Sequence, residues 1–196
     1  MKANLKTLAL ATCLAIGTCA YAQEGFIRPE LSYDFAKISI TGATGIDLKD
    51  AVGYGVAGGA FFGVQNEHEL GLSVSVTDFR LTSSITGTNI TGKTRIVPIL
   101  ANYRYYFGAK ADSMRFYLAP SLGFTSSRGD AAIINGNTLT RASSSGNDST
   151  WGAGFGVLFK VADKIDVDAG YRYMEFKESN AKIKMNSLYL GVDARF

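Results

Sequence analysis

The sequence predicts an all-β fold: an eight-stranded antiparallel transmembrane β-barrel, with short turns at one end and four longer loops at the other. Three observations point there. Stretches of about ten residues with alternating character recur eight times after Gly25, matching the 9 to 11 residues or so of a tilted membrane strand. The connections between them alternate between long and short. The parity that lacks large apolar side chains is mostly glycine, alanine and serine, which would coat a soluble protein poorly but would fill a narrow lumen.

The chain begins with MKANLKTLALATCLAIGTCAYA, residues 1–22: two lysines, an apolar run over 8–17, and the small-x-small triplet Ala20-Tyr21-Ala22. This is the pattern of a cleaved secretory signal peptide, too short to cross a bilayer as a helix. The expected mature chain, 23–196, is a single barrel domain. Cys13 and Cys19 both lie in the removed segment, so neither a disulfide nor a thiolate metal site is expected. Neither cysteine follows the small residue of a lipoprotein signal, so no lipid anchor is expected. Removing Lys2 and Lys6 takes the formal charge from +3 to +1, and a near-neutral chain has no electrostatic reason to bind nucleic acid.

The strands then follow in order: FIRPELSYDF, GYGVAGGAFFGV, HELGLSVSVTD, RIVPILANYRYYF, RFYLAPSLGF, TWGAGFGVLFKV, KIDVDAGYRYM and NSLYLGVDARF. Short links lie near 65–67, 108–114 and 162–164. Between them come the long ones: AKISITGATGIDLKD, FRLTSSITGTNITGKT, SSRGDAAIINGNTLTRASSSGNDS and EFKESNAKIK. That order is expected of a barrel in a Gram-negative outer membrane, with periplasmic turns, extracellular loops and both termini on the periplasmic side.

Parity separates lipid from lumen. Leu70, Leu72, Val74 and Val76 alternate with Gly71, Ser73, Ser75 and Thr77, and Trp151, Ala153, Phe155, Val157 and Phe159 oppose Gly152, Gly154 and Gly156. The large polar residues on the inner parity are Arg28, Glu30, Asp34, Glu69, Arg104, Lys160, Asp166, Asp168, Arg172, Asp193 and Arg195, a near-balanced set. Charges removed from water need partners, so these are expected to form a structural lumen network. Aromatic residues fall into two belts. Phe62, Tyr105, Phe107, Phe116, Phe159 and Phe196 lie toward the periplasmic ends, and Tyr33, Phe35, Tyr54, Phe124, Trp151, Tyr171 and Tyr173 toward the outer ends. Pro29, Pro98 and Pro120 fall within strands, where a closed barrel offers no free edge, so a bulge, a water or a strand-end position is expected at each.

With its leader, its glycine-alternating strands GYGVAGGAFFG and WGAGFGV, Tyr105-Tyr106-Phe107-Gly108, DAGYRY at 168–173 and a terminal strand ending on Phe196, the chain resembles the small outer-membrane β-barrel family, the OmpA-like and OmpX-like porin-like domains. The resemblance covers the whole mature chain. It implies outer-membrane lipids as surroundings and the barrel-assembly machinery as a partner in biogenesis. On that resemblance Leu190, Val192 and Phe196 are the assembly signal. The family spans structural proteins, adhesins, small channels and lipid-modifying enzymes, so it is nearly silent on activity.

Three roles are weighed. An enzyme needs a base within reach of a nucleophile, and the single histidine, His68, falls at a periplasmic turn, away from the serine-rich third loop; no catalytic residue, cofactor or metal is expected. The spacing of Asp130 and Asp148 is not that of a calcium loop. A narrow or gated channel for small solutes is the alternative, favoured by inner glycines and opposed by the inner charges. The leading expectation is a monomeric structural or cell-surface protein that presents its loops to a surface ligand. The third loop, 126–149, with Arg128, Ile133, Ile134 and Arg141 as its anchors, is expected either to extend as a hairpin or to remain mobile.

Overall fold

The computed structural model describes residues 24–40, 46–85, 88–135, 138–178 and 181–196. The expected signal peptide, 1–22, lies outside them. Alternating, β-branched and aromatic-rich segments form β1 (Glu24–Ile40), β3 (Ala51–Phe62), β4 (His68–Ile85), β5 (Thr88–Phe107), β6 (Met114–Asn135), β7 (Thr138–Ala162), β8 (Ile165–Glu178) and β9 (Ala181–Arg195). The two-residue β2 (Ile46–Asp47) pairs with β1 across the first long connection. Each large strand pairs antiparallel with the next, and β1 pairs with β9, closing an eight-stranded barrel. The seam is sealed at its end by reciprocal bonds: Gly25 N–H to the Phe196 carbonyl at 2.9 Å and Phe196 N–H to the Gly25 carbonyl at 3.0 Å. The Phe196 ring lies over Gly25, where an added Cβ would stand 2.6 Å from the ring.

The strands run past the membrane spans read from sequence. β7 has 25 residues, and most of what reads as long loops is continued ladder: β4 with β5 to the Ile85–Thr88 pair, β6 with β7 to Asn135–Thr138, β8 with β9 to Glu178–Ala181. The third connection is thus the hairpin rather than the mobile loop.

The phase of the hydrophobic pattern inverts along these strands while the register holds. In β4, Leu72 and Val74 face outward and Ser73 and Thr77 inward; farther on, Asp78 and Arg80 face outward and Phe79 is fully buried. β8 turns from outward Tyr171 and Tyr173 to outward Lys177 with Met174 and Phe176 inside, and β9 from exposed Lys184 with buried Ile183 and Met185 to exposed Leu188 and Leu190. Apolar-out is the rule for a strand in lipid and apolar-in for one in water. The switch marks the membrane boundary. Val74→Arg, on the lipid side of it, is expected to cost about 2 to 4 kcal/mol, whereas Thr91→Arg, outward but beyond it, should cost about 1 or less. Urea unfolding in lipid vesicles checks this, and equal costs would refute the boundary.

Of the accommodations expected for the three prolines, two do not occur. No bulge or strand end occurs at any of them. Pro29 pairs with Val56, Pro98 with Thr125 and Pro120 with Ala153. On the opposite side the ladder skips two residues and resumes in the same register: Ile27–Ala194 to Glu30–Gly191, Val74–Ile99 to Thr77–Ile96, and Asn102–Ser121 to Tyr105–Leu118. An antiparallel residue directs its N–H and C=O to one neighbour, so a proline interrupts the ladder on one side only. The recorded register shift in the barrel ladder is at Lys160–Ala162 between β7 and β8.

Candidate functional site

The interior is the most chemically specified part of the molecule, and it is built in layers. At the turn end, Gly63 (φ 86°) and Asn66 (φ 51°) shape the β3–β4 turn. Asn66 is fully buried: its side-chain amide donates to Glu24 at 2.7 Å, and its carbonyl accepts from Arg115 at 3.0 Å. Arg195 reaches Asp166 at 3.0 Å and Glu24 at 3.3 Å, and Lys110 reaches Glu24 at 2.8 Å. Glu67, on the turn itself, is held below the usual carboxylate range by the backbone amides of Glu67 and Gln65.

Above this lies an ion-pair network in which every group is buried except Arg172, which is part-buried. Arg28 forks onto Asp193 through Nε and Nη2, the latter at 2.7 Å, and onto Glu69 at 3.2 and 2.9 Å, with Asp168 3.2 Å from Nε. Arg104 donates to Asp168 at 2.7 Å and lies 3.5 Å from Glu69 and 3.8 Å from Glu30. Arg172 donates to Glu30 at 2.8 Å. Tyrosines add to two of the carboxylates: Tyr106 donates to Glu69, and Tyr117 to Asp168 while also contacting the Tyr189 hydroxyl. Guanidinium faces lie on rings, Arg28 on Phe26 at 4.7 Å, Arg104 on Tyr117 at 4.5 Å and Arg172 on Tyr189 at 4.7 Å. Gly156 and Gly170 pair across β7 and β8, between Tyr117 on β6 and Tyr189 on β9. A Cβ at Gly170 would stand 2.6 Å from the Tyr189 hydroxyl and 2.7 Å from that of Tyr117, so the bare backbone is what lets the two rings meet.

Next comes a hydroxyl layer, where Asn102 donates to Ser73 at 2.8 Å and Thr125 bonds Thr150 at 2.6 Å. The hairpin end is apolar: Phe79, Ile96, Leu100, Met174, Phe176, Ile183 and Met185 pack with Ala36, and Leu48 enters from the first connection. A second apolar and aromatic cluster, Phe26, Phe61, Tyr106, Tyr117, Leu158 and Tyr189, fills the turn-end half.

Of the inner charges read from sequence, the structure brings together Arg28, Glu30, Glu69, Arg104, Asp168, Arg172 and Asp193, and places Asp166 and Arg195 in the turn-end group. Two are corrected. Lys160 is exposed: it is the last β7 residue paired in register before the β7–β8 turn, at the rim of the barrel, where its amine lies 3.8 Å from Asp163. Asp34 is fully buried but bonded to the hydroxyls of Ser32 and Thr77, at 2.9 and 2.6 Å; among the described residues no cation pairs with it. Tyr106, Arg115, Tyr117, Tyr189 and Glu24 were missed, though the first four sit on the inner parity beside named members. The belt residues Tyr33, Phe35, Tyr54, Phe62, Tyr105, Phe107, Phe116, Phe124, Trp151, Phe159, Tyr171 and Tyr173 are all half-buried or exposed, on the outward parity. In the terminal strand Leu190, Val192 and Phe196 also face outward. His68 lies at the turn end, bonded to the Tyr103 hydroxyl at 2.8 Å and packed on Tyr103 and Tyr105.

Comparison with known proteins agrees with this architecture. The chain is similar in fold to Neisserial surface protein A (21% identity, TM-score 0.55, 88% of this chain and 97% of that one). It is also similar to Ail of Yersinia pestis (19%, 0.51, 89% and 100%) and OprG of Pseudomonas aeruginosa (12%, 0.54, 90% and 97%). No curated protein matches it in sequence. The family defined by the outer membrane protein beta-barrel domain matches residues 7–196. A closed eight-stranded barrel, apolar and aromatic outside and filled with paired charges inside, is what that family's surroundings demand, and the chain belongs to it.

Proposed function

We propose that this protein is a sealed outer-membrane barrel that acts at the cell surface through its protruding hairpins, as a structural or ligand-presenting element, and not as a channel or an enzyme. The observation that carries the reading is the filled interior: the Arg28–Glu69–Asp168–Asp193 network and the Phe79–Phe176 apolar layer lie one above the other along the barrel axis. An aqueous path needs a polar, unfilled lumen, which comes with larger barrels. The inner glycines do not supply one, since rings of neighbouring strands occupy the space at Gly156 and Gly170. A catalytic role finds no support in His68, whose ring is engaged with two tyrosines at the turn end. In this proposal residues 1–22 direct export, and Leu190, Val192 and Phe196 are read by the barrel-assembly machinery. The β1–β9 closure, which leaves no edge to pair, supports a monomer. Proteoliposomes containing the barrel are expected to swell in small sugars no faster than empty liposomes. Rapid swelling would replace the surface reading with the channel one.

A further inference from the structure

One carboxylate inside the barrel has no charge to meet it. Asp34 is fully buried, and Ser32 and Thr77 both donate to the same oxygen, Oδ2, at 2.9 and 2.6 Å. Its other oxygen, Oδ1, is buried as well and has no hydrogen-bond partner among the described residues. The ion-pair network toward the turn end has no cation to spare for it. There Arg28, Arg104 and Arg172 already face four carboxylates, those of Glu30, Glu69, Asp168 and Asp193.

Strand pairing gives the surroundings of this group. Asp34 pairs with Ser187 across the β1–β9 seam, and the gap that Pro29 leaves in that ladder shows that the odd-numbered residues of β1 direct their backbone to β9. Asp34 and Ser187 are therefore a non-hydrogen-bonded pair, the kind whose side chains stand closest. Ser187 is 3% exposed and Thr77 1%. A Cβ at Gly53 would collide with oxygens of Asp34, Thr77 and Ser32, so the bare backbone there lets the three converge. Two residues nearer the hairpins on the same faces of β1, β4 and β9 come Ala36, Phe79 and Met185, all in the apolar cluster. Asp34, Thr77 and Ser187 are thus the first oxygen layer beneath an apolar roof, which keeps outside water from screening the carboxylate.

We infer that Asp34, with the hydroxyl oxygens of Thr77, Ser187 and Ser32, is a binding site for a monovalent alkali cation such as sodium, taken up as the barrel closes. The inference rests on the enclosed interior of the reading above. A charge buried in a protein is either paired or bound to a metal. The donor set is oxygen only, which suits a hard ion, and its single negative charge is cancelled by a single positive one. The hydroxyls that donate to Oδ2 keep lone pairs for the ion. Three hydroxyl oxygens around one carboxylate offer an ion a shell, whereas a proton would use only one of them. The ion would balance the lumen charge beneath its roof and tie β1, β4 and β9 together beside the seam.

The test refolds the full barrel into phosphatidylcholine vesicles in the chloride salt of sodium or of the bulky cation N-methylglucamine, at equal ionic strength and pH. The urea midpoint is read from the fluorescence of Trp151, the single tryptophan. The wild type should have the higher midpoint in sodium, with an effect that saturates. Asp34→Asn, which keeps the hydroxyl partners and removes the charge, should have one midpoint in both salts. The double variant Thr77→Val, Ser187→Ala keeps the charge and removes two oxygens, so it should raise the half-saturating sodium concentration at least about tenfold. The control Asp78→Asn, at an exposed carboxylate paired with Arg95, should respond like the wild type. Equal wild-type midpoints in the two salts overturn the site, and so does an undiminished sodium response in Asp34→Asn. A midpoint that ignores sodium and climbs as the pH is lowered gives the carboxylate a proton in place of the ion, and a response to calcium alone overturns the monovalent assignment. Should Asp34→Asn fail to fold, the double variant decides. None of these failures makes the vesicles permeable to sugars, so they are distinct from a failure of the sealed-barrel reading.

Discussion

Replacing Arg28 by methionine is expected to lower the unfolding free energy in lipid by about 3 to 5 kcal/mol. The side chain is 1% exposed and stands between three carboxylates, Glu69, Asp168 and Asp193. Methionine keeps much of the volume, so the loss is electrostatic: four acids, with Glu30, would be left to two guanidiniums, Arg104 and Arg172. Removing one partner of a buried pair costs far more than the pair contributes, because the other charge stays desolvated. The double variant Arg28→Met, Asp193→Asn should therefore recover part of the deficit. Urea midpoints in vesicles measure both. An unchanged midpoint in the single variant would show that the carboxylates are not held by Arg28.

Phe79→Ala should cost about 3 to 5 kcal/mol, and Phe79→Leu less than about 1.5. Phe79 is fully buried in the hairpin-end cluster with Ile96, Met174, Phe176 and Met185. This part of the barrel stands beyond the lipid boundary, so it is held by an apolar interior in water, like a soluble barrel, and a vacated ring there leaves a cavity that stiff strands close poorly. Were the hairpin end only loosely packed, Phe79→Ala would shift the urea midpoint no more than an exposed substitution such as Thr91→Ala.

The barrel was legible in the sequence because lipid and lumen impose opposite demands on successive residues. Leu70 to Val76 against Gly71 to Thr77 reads that way without structure, and so does the inner parity of Arg28, Glu69, Asp168 and Asp193. The upper third was not. There the same strands carry the reverse phase, Asp78-Phe79-Arg80 or Lys182-Ile183-Lys184, and a pattern tuned to apolar-out segments ends where the inversion begins. The signal was present: alternation continues without a break, and the third connection contains Asn-Gly at 135–136, a dipeptide that in sequence favours a two-residue hairpin. The tyrosines of the network were missed for a different reason. Tyr106, Tyr117 and Tyr189 lie on the inner parity, but charge alone does not mark the hydroxyls that bond the buried carboxylates. The fate of each proline depends on which neighbour its missing N–H would have faced, and that is a property of strand pairing rather than of local sequence.

The proposed surface role requires a sealed interior, in which the charge network and the apolar layer close the barrel along its axis. Single-channel recording of the purified barrel in a planar bilayer, in concentrated potassium chloride, tests this most directly. The filled lumen predicts a flat baseline at voltages the bilayer tolerates, and discrete, reproducible conductance steps from the wild-type protein would contradict it.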